Sequence, residues 1–515
     1  MVMASSPVAD QALARWNSKI TSTQLRAGLL DTIAIGIMAF LARVPFFGVA
    51  MHVDEGGYAY TAYWWAHGQR LYEQLWFDRP QGIFIVYRLI FALIGYGTLH
   101  IRIAAALAGV FAAWFVYLIA RRLFDRQIAI LAGLIFAVVS ACPQIEGFTG
   151  NAETFMIVPA IIALYLFIRG KESDNWIWFV LAGLAGSVAV LIKPSELSTL
   201  LLLAALSYTW MQRNRIRTLA LIATGFAAGI IPSIIHGYII GGSNYFFCVV
   251  GYRLMKDSLA TRGVSFHAEH LYRGLQDVVP GIGLLIGIAA WVIIQQYRAK
   301  NTQAIWVPLL WIATSIAGIA MGGNWYRHYF LQIVGPLAVV CAYGLVTVFR
   351  QIPAMKRPAF VFSSAVVFAA AIAISFSVLL IRDQRALSLA LFHFDQYRYD
   401  AEIVDYLKLH SNPEDKMFVM YMDPEIIYLS GKQSAFPHLF EKEFDRIPDV
   451  DGKLVKVLTD PTTRPRFIVD LRAYGDHGEV HKDALRIIRE NYVTEKRFGI
   501  IFLYRLKDQL AMSSN

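Results

Sequence analysis

The chain has 515 residues, of which 57% are hydrophobic and 16% are charged, and its mean hydropathy is +0.48. Because globular proteins carry about 25% charged residues, this composition excludes an ordinary soluble enzyme. The formal net charge is +10, but the basic residues cluster in short links between apolar segments, which is typical of a membrane protein rather than of a nucleic-acid-binding protein.

The first 26 residues are polar and mildly basic, and they lack the pattern of a cleavable signal peptide. The apolar segment 27–47 is therefore predicted to be a retained membrane span. Further long apolar segments follow, and residues 363–381 contain no charge at all. A run of about 20 apolar residues spans a bilayer as a helix, because a helix satisfies its own backbone hydrogen bonds in lipid. The sequence therefore predicts a polytopic α-helical membrane protein.

The links between the apolar segments alternate in character. One set is basic, and the other set is richer in carboxylates, aromatics, glycine and asparagine. Basic links face the cytoplasm, so the second set is expected on the outer face and the N-terminus inside. The basic links are Arg121 to Arg126, Arg169 to Lys171, Arg213 to Arg217, Arg298 to Lys300 and Arg350 to Arg357.

The apolar segment 80–96 does not fit this alternation of links if it is a membrane span. It is apolar, but it has only 17 residues and carries Arg88 in its middle. If it crossed the membrane, Arg121 and Arg122 would lie on the wrong side, so we expect it to lie in the outer interface. This gives about 11 spans, with 12–13 as the alternative if further segments cross.

The composition changes after Ile381. A predicted helix closed by Asn-Pro, the β-rich runs MFVMYM and RFIVDL, the amphipathic helix HKDALRIIRENY and a closing hairpin follow one another. Since about 130 residues can bury a core of their own, residues 382–515 are predicted to form a small outer-face α/β domain. Residues 27–381 then form the transmembrane domain, with outer loops at about 48–100 and about 241–277.

Asp54 and Glu55 follow the first span closely, which places two carboxylates near the membrane surface. Tyrosines and tryptophans come directly after them, and such residues suit a helix that lies in the interface. Considered alone, the two acids could simply cap that helix, because acidic side chains are stabilised at a helix N-terminus.

Asp54-Glu55, followed some 25 residues later by FDRPQG, resembles the lipid-dependent membrane glycosyltransferases of the GT-C fold. The similarity is greatest to the protein O-mannosyltransferase and aminoarabinose lipid A transferase superfamily, including its RgtA/B/C/D-like bacterial branch. There the loop reads DE…(K/H)PP; here Arg79 keeps a basic residue, while Gln81 replaces the second proline. RRLFDRQIAILAGLIFA, GNAETF, LIKPSEL and RHYFLQIVGPLA resemble further family segments, so that the resemblance covers about residues 27–350.

The resemblance implies an inverting transfer of a sugar from a polyprenyl-phosphate donor to a hydroxyl acceptor. The hydroxyl must lose its proton, so a carboxylate acts as general base. Asp54 is assigned this role, and Glu55 is expected to orient Asp54 or the acceptor. The leaving phosphate needs positive charge rather than a general acid. The candidates for binding the donor phosphate and the substrate are Arg79, Asn151, Glu153, Lys193, Arg327, His328 and Tyr329.

Each of these candidates also has a purely structural interpretation. Lys193 could snorkel from the end of its span to the interface, and Arg327-His328-Tyr329 could belong to an aromatic belt. Asn151 and Glu153 could cap the helix that they open. Four residues of the second outer loop are expected on interfacial helices and are left out of the site: Arg253, Lys256, His267 and His270.

The expected partners are a polyprenyl-phosphate-linked sugar, a hydroxyl of an envelope glycan, lipid A or another glycolipid, or a protein, and membrane lipids. Adjacent Asp and Glu residues are not a convincing cation cage, so no obligatory metal is expected, although a divalent cation is conceivable. The bacterial branch implies an inner-membrane location.

Two other functions stay open. A transporter or flippase of lipid-linked sugars would place ionisable residues near the membrane midplane. A polysaccharide polymerase or ligase would use a pyrophosphate-linked glycan.

Overall fold

A computed structural model describes residues 22–256, 259–392, 395–421, 423–440, 444, 447–472 and 482–507. Residues 1–21, which hold most of the predicted cytoplasmic N-terminal segment, lie outside these ranges. Fourteen helices precede residue 382 in the described part of the chain: α1 Ser22–Leu41, α2 Val53–Ala66, α3 Gly82–Leu93, α4 Thr98–Leu123, α5 Arg126–Val139, α6 Ala152–Ser173, α7 Trp176–Ile192, α8 Leu197–Trp210, α9 Arg215–Phe246, α10 Tyr252–Lys256, α11 Leu259–Arg298, α12 Trp306–Met321, α13 Leu331–Gln351 and α14 Arg357–Ser375.

The helical membrane fold predicted from the sequence is confirmed. Seven described helices are long and apolar enough to cross a bilayer, and four shorter apolar helices accompany them. The long candidates are Arg26–Phe46, Thr98–Leu123, Ala152–Ser173, Arg215–Leu254, Gly263–Arg298, Arg327–Gln351 and Ala354–Ser375. The shorter ones are Gly82–Leu93, Arg126–Val139, Trp176–Ile192 and Trp306–Met321. The number of actual crossings stays a prediction.

After residue 382 the chain forms a small domain around one sheet, as predicted. Its elements are α15 Gln384–Phe392, α16 Asp400–His410, β1 Lys416–Met420, α17 Pro424–Leu429, β2 Gln433–Ser434, α18 Val450–Thr459, β3 Phe467–Asp470, α19 Lys482–Asn491, β4 Tyr492–Phe498 and β5 Ile501–Leu506. The strand order is β2-β1-β3-β5-β4. β1 pairs in parallel with β2 and β3, and β5 pairs antiparallel with β3 and β4, so the predicted closing hairpin is β4–β5.

This domain packs against one end of the helix bundle, which we call the domain face. The backbone N–H of Ala50 donates to Ser388 Oγ at 3.0 Å, and the N–H of Gly97 donates to Tyr428 Oη at 3.2 Å. The N–H of Trp76 donates to the carbonyl of Pro437 at 3.2 Å. The loops around α2 and α3 are therefore bound to the C-terminal domain by hydrogen bonds.

Helix α3 lies within the apolar segment 80–96, which is predicted to lie in the interface rather than to cross the membrane. Its 12 residues reach about 18 Å, against a hydrocarbon core of about 30 Å. Trp76 before α3 and Gly97 after it both bond the C-terminal domain, so both ends of α3 lie on the domain face. The guanidinium of Arg88 lies 4.6 Å from the centre of the Trp65 ring. These contacts favour the prediction that segment 80–96 does not cross.

The opposite end of the bundle gathers basic links. Arg126 pairs with Asp31 at 2.7 Å, Arg350 pairs with Asp125 at 2.7 Å, and Arg122 pairs with Glu172. Three of the five basic links therefore share one end, and the side of the membrane that this end faces stays a prediction.

Candidate active site

Helix α2 begins with two reciprocal hydrogen bonds at the domain face. The N–H of Asp54 donates to His52 Nδ1 at 3.2 Å, and the N–H of His52 donates to Glu55 Oε2 at 2.7 Å. This is the arrangement of a capping box, which fixes where the helix starts. Asp54 therefore sits in the first turn with a partly exposed side chain.

Glu55 points the other way, into the protein. Its carboxylate is fully buried, pairs with the equally buried Arg102 at 3.0 Å, and accepts a hydrogen bond from the backbone N–H of Gly150. Arg102 also donates to the carbonyls of Ala50 at 2.8 Å and Phe148 at 3.4 Å. Glu55 therefore joins the start of α2 to the loop before α6, which suits the orienting role predicted for it better than contact with a substrate.

The loop between α5 and α6 carries Glu146, which was not among the predicted site residues. Its φ of 57° lies in the left-handed region, and Arg43 holds the loop by donating to the carbonyl of Gly147 at 3.0 Å. The Glu146 carboxylate pairs with Arg327 and, at 3.0 Å, with His328 Nδ1. Burial by itself raises the pKa of Glu146, but Arg327 and His328 hold this pKa well below its usual range.

Lys193 meets Glu153 although 40 residues separate them. The Lys193 ammonium pairs with Glu153 Oε1 and lies 3.7 Å from the centre of the Tyr329 ring. His328 Nε2 lies 3.8 Å from Glu153 Oε1, so His328 stands between Glu146 and Glu153. We call the five charged or ionisable groups Glu146, Glu153, Lys193, Arg327 and His328 the ion cluster. Its members come from four separate segments and meet at the domain face.

Arg79 lies beside this cluster with 13% of its side chain exposed. Its Nη1 bonds Asp78 Oδ1 at 2.9 Å, while its Nε has no hydrogen-bond partner in the part of the chain that the structure describes. Arg253, which the sequence interpretation left out, bonds Asp78 Oδ2 at 2.9 Å and the Asp78 carbonyl at 3.0 Å. The contact spans 175 residues and gives no local sequence signal. Two guanidinium groups therefore converge on Asp78.

Asp54 and the basic residues share one electrostatic environment. Lys193 and Tyr329 each interact with both Asp54 and Arg79. The phenol of Tyr58, on α2, does the same. The predicted base therefore lies within electrostatic reach of Lys193 and Tyr329, which also interact with Arg79.

Asn151 occupies the position before α6, but its side chain makes no capping bond. It is 1% exposed, and neither its amide nitrogen nor its amide oxygen has a hydrogen-bond partner among the described residues. Buried polar atoms are normally satisfied, so this amide is available to a bound group or water. The capping interpretation of Asn151 is not what the structure shows.

The structure brings all nine predicted residues to the domain face, with Glu55 turned inward. Within the described ranges, no three histidine, cysteine, aspartate or glutamate side chains are arranged to hold a metal ion. Metal dependence stays a prediction.

Comparisons with known proteins agree with this architecture. Residues 78–236 match the family model described as dolichyl-phosphate-mannose-protein mannosyltransferase. ArnT from Cupriavidus metallidurans, solved bound to undecaprenyl phosphate, is 16% identical with a TM-score of 0.66, covering 94% of this chain and 98% of that one. The apo state of ArnT gives 15% identity and a TM-score of 0.65, covering 93% and 98%.

A more distant likeness is to the archaeal oligosaccharyltransferase AglB from Archaeoglobus fulgidus, solved with an inhibitory peptide and a dolichol-phosphate. It is 11% identical with a TM-score of 0.55, covering 94% of this chain and 75% of that one. No curated protein sequence matches this chain.

Proposed function

We propose that this chain, which has the GT-C fold of the ArnT and protein O-mannosyltransferase superfamily, is a membrane glycosyltransferase that uses a lipid-linked sugar donor. The family model and the solved structures confirm the resemblance that Asp54-Glu55 and FDRPQG indicated. One observation carries the proposal: the partly exposed carboxylate of Asp54 shares its electrostatic environment with Lys193 and Arg79.

The proposed reaction inverts the anomeric carbon of the sugar. The oxygen of an acceptor hydroxyl attacks that carbon, the bond from the carbon to the phosphate oxygen breaks, and the hydroxyl proton passes to Asp54. Glu55 supports this step by holding the first turn of α2 against the loop at Gly150.

Positive charge stabilises the phosphate that leaves. Arg79 and Lys193 are the proposed phosphate ligands, because the Nε of Arg79 has no partner among the described residues and Lys193 interacts with both Arg79 and Asp54. Arg327 and His328 pair with the carboxylate of Glu146, and the ring of Tyr329 lies against the ammonium group of Lys193. The undecaprenyl phosphate in an ArnT structure and the dolichol-phosphate in an AglB structure support a lipid-phosphate donor here.

The proposed acceptor is a hydroxyl of an envelope glycan, lipid A or another glycolipid, or a protein. We propose that the reaction takes place at the outer face of a bacterial inner membrane, because three of the five basic links lie at the end of the bundle away from the candidate site. A transporter is the weaker candidate, since the ion cluster lies at the ends of helices rather than along their length.

The donor class can be tested with the purified chain in lipid vesicles. We expect sugar transfer from a polyprenyl monophosphate donor and none from the corresponding diphosphate. Transfer from the diphosphate alone would favour a polymerase or ligase, and lipid movement across the bilayer without transfer would favour a transporter. Mass spectrometry of envelope glycolipids from cells with and without the protein then identifies the missing sugar unit.

A further inference from the structure

Helix α3 presents a stripe of exposed apolar side chains to the outside of the bundle. Ile85, Leu89 and Leu93 are 46%, 54% and 81% exposed, and their spacing of four residues places them on one side of the helix. Helix α9 adds Ile235 and Ile239, which are 55% and 73% exposed. Because α9 is a candidate span and contiguous exposed apolar surface is typical of a membrane contact, these side chains are expected to face lipid.

Two ionisable side chains interrupt this apolar surface. Arg88, next to Leu89 on α3, is exposed, and its guanidinium lies 4.6 Å from the centre of the Trp65 ring. His236 on α9 is also exposed, and its ring centre lies 6.1 Å from that of Trp65. Within the described ranges, the side chain of neither Arg88 nor His236 forms a hydrogen bond or an ion pair. We call Trp65, Arg88 and His236 the surface patch.

The two helices that carry Arg88 and His236 are joined close to the patch. Gln81, just before α3, donates from Nε2 to the carbonyl of Ser233 at 3.0 Å and accepts at Oε1 from Ser233 Oγ at 2.9 Å. A Cβ added to Gly237 would lie 2.6 Å from Gln81 Nε2, so glycine at this position allows the close approach of α9. Ser233 and Gly237 stand on either side of His236 in α9. The backbone positions of Arg88 and His236 are therefore fixed by packing.

The surface patch lies at the level expected for lipid headgroups. His236 follows Arg215, the first residue of α9, by 21 positions, which corresponds to about 30 Å of helix. This length equals the hydrocarbon thickness of a bilayer, and Arg215 belongs to a basic link. Arg88 lies in α3, which is flanked on both sides by residues bound to the C-terminal domain. The patch therefore lies on the domain face, where lipid chains meet headgroups.

A phosphate group suits the side chains of the patch. The guanidinium of Arg88 presents N–H donors in a planar fork that matches two phosphate oxygens. The imidazole of His236 keeps one N–H donor even when it is neutral. An arginine beside lipid is unfavourable without an anionic partner, and tryptophan is favoured at the headgroup level. A free phosphate would leave the apolar side chains of α3 and α9 uncovered, whereas the chains of a phospholipid would cover them.

We propose that the surface patch binds the phosphate group of an anionic phospholipid, whose acyl chains lie along the apolar side chains of α3 and α9. The bound lipid joins α2, α3 and α9 at the domain face. The site is separate from the proposed donor site at Arg79, because Arg88 follows Gln81 by seven positions and so lies about 10 Å farther along α3. The lipid site does not rest on the proposed function.

The test titrates phosphatidylglycerol onto the full-length protein in detergent and counts bound lipids by native mass spectrometry. In the wild type we expect the first phosphatidylglycerol to bind several-fold more tightly than phosphatidylcholine, whose headgroup carries a compensating positive charge. Arg88→Gln should weaken this first step about tenfold or more, because it removes charge-assisted hydrogen bonds. The matched control Arg298→Gln removes an exposed arginine beside the exposed Ile294 and Tyr297 on α11 and should bind as the wild type.

Three results of this titration would overturn the proposal: equal affinity of Arg88→Gln and the wild type, an equal loss in Arg298→Gln, or equal binding of the two phospholipids. Competition separates the sources of the phosphate. Displacement of the bound phosphatidylglycerol by equimolar undecaprenyl phosphate would assign the patch to the donor lipid instead. Displacement by inorganic phosphate would reduce the patch to a site for a free anion, and either result would contradict a phospholipid site.

Thermal unfolding of the wild type gives a second measurement that needs no variant. Phosphatidylglycerol should raise the unfolding temperature more than phosphatidylcholine does, since a ligand that binds only the folded protein stabilises it. An equal shift with both lipids would contradict the proposal. Neither measurement needs transferase activity, so an inactive chain that binds phosphatidylglycerol would refute only the proposed function. A chain that transfers sugar without binding this lipid would refute only the lipid site.

Discussion

The buried pair Glu55–Arg102 shows how strongly a single contact can constrain the site. Both side chains are fully buried, so Arg102→Met leaves an uncompensated carboxylate in the interior. We expect this variant to lose about 3–5 kcal/mol of stability. Thermal unfolding measures the loss, with Arg298→Met as the control at an exposed arginine. An unfolding temperature equal to that of the wild type would show that Glu55 is held by other contacts.

Variants of Lys193 and Glu153 can separate the structural role of Lys193 from its proposed role in transfer. Lys193→Met should reduce both stability and transfer. It leaves the buried Glu153 carboxylate without its ion-pair partner, and it removes a proposed phosphate ligand. Adding Glu153→Gln should restore the unfolding temperature, since the stranded charge is gone, while the rate stays about 10²–10³-fold low. Recovery of both stability and rate in the double variant would reduce Lys193 to a structural residue.

At this scale the sequence yields candidate site residues but not the direction of their side chains. Asp54 follows an apolar segment, Lys193 ends one, and Arg79 was chosen because FDRPQG resembles the family's loop motif. Glu146 and Arg253 were missed, since their importance comes from contacts made 181 and 175 residues away. The inward turn of Glu55 was equally invisible, because adjacent acids in a helix point to different sides.

At the scale of elements, the approach of α17 to α2 depends on Gly56. Gly56→Ala places a methyl group against backbone atoms that cannot rotate away, so we expect about 1–3 kcal/mol of destabilisation and weaker docking of the domain. Gly287→Ala is the matched control, because a Cβ there meets nothing within 4 Å. Equal unfolding temperatures for the two variants would show that this contact can relax.

Helix α3 shows which structural features the length and charge of an apolar segment can predict and which they cannot. The length of segment 80–96, the position of Arg88 and the side on which Arg121 and Arg122 would otherwise lie together predict that it does not cross. The helix that it contains is shorter still, because it begins at Gly82 and ends at Leu93. What keeps both of its ends on one face are contacts with the C-terminal domain, which no local pattern predicts.

The placement of α3 can be checked by labelling single cysteines with a membrane-impermeant thiol reagent. Glu73→Cys and Tyr96→Cys, at exposed positions before and after α3, should react from the same side as Asp405→Cys. Asp174→Cys, at the end of α6, should react from the other side. Reaction of Tyr96→Cys from the Asp174 side would mean that α3 crosses.

At the scale of the whole molecule, three basic links lie at one end of the helix bundle and the candidate site lies at the other end. This polarity was predictable, because charge in the links is a property of the sequence. The docking of the C-terminal domain onto α2 was not, since it joins residues more than 340 positions apart. Docking makes the domain part of the site's surroundings rather than a separate appendage.

The central claim is that Asp54 removes the proton of the acceptor hydroxyl during sugar transfer. The most direct measurement compares transfer by Asp54→Asn with transfer by Asp174→Asn. The exposed side chain of Asp174 lies at the C-terminal end of α6, the end away from Asn151 and Glu153. We predict that Asp54→Asn loses transfer while its abundance and unfolding temperature match the wild type, and that Asp174→Asn keeps full activity. Full transfer by a folded Asp54→Asn protein would contradict the account.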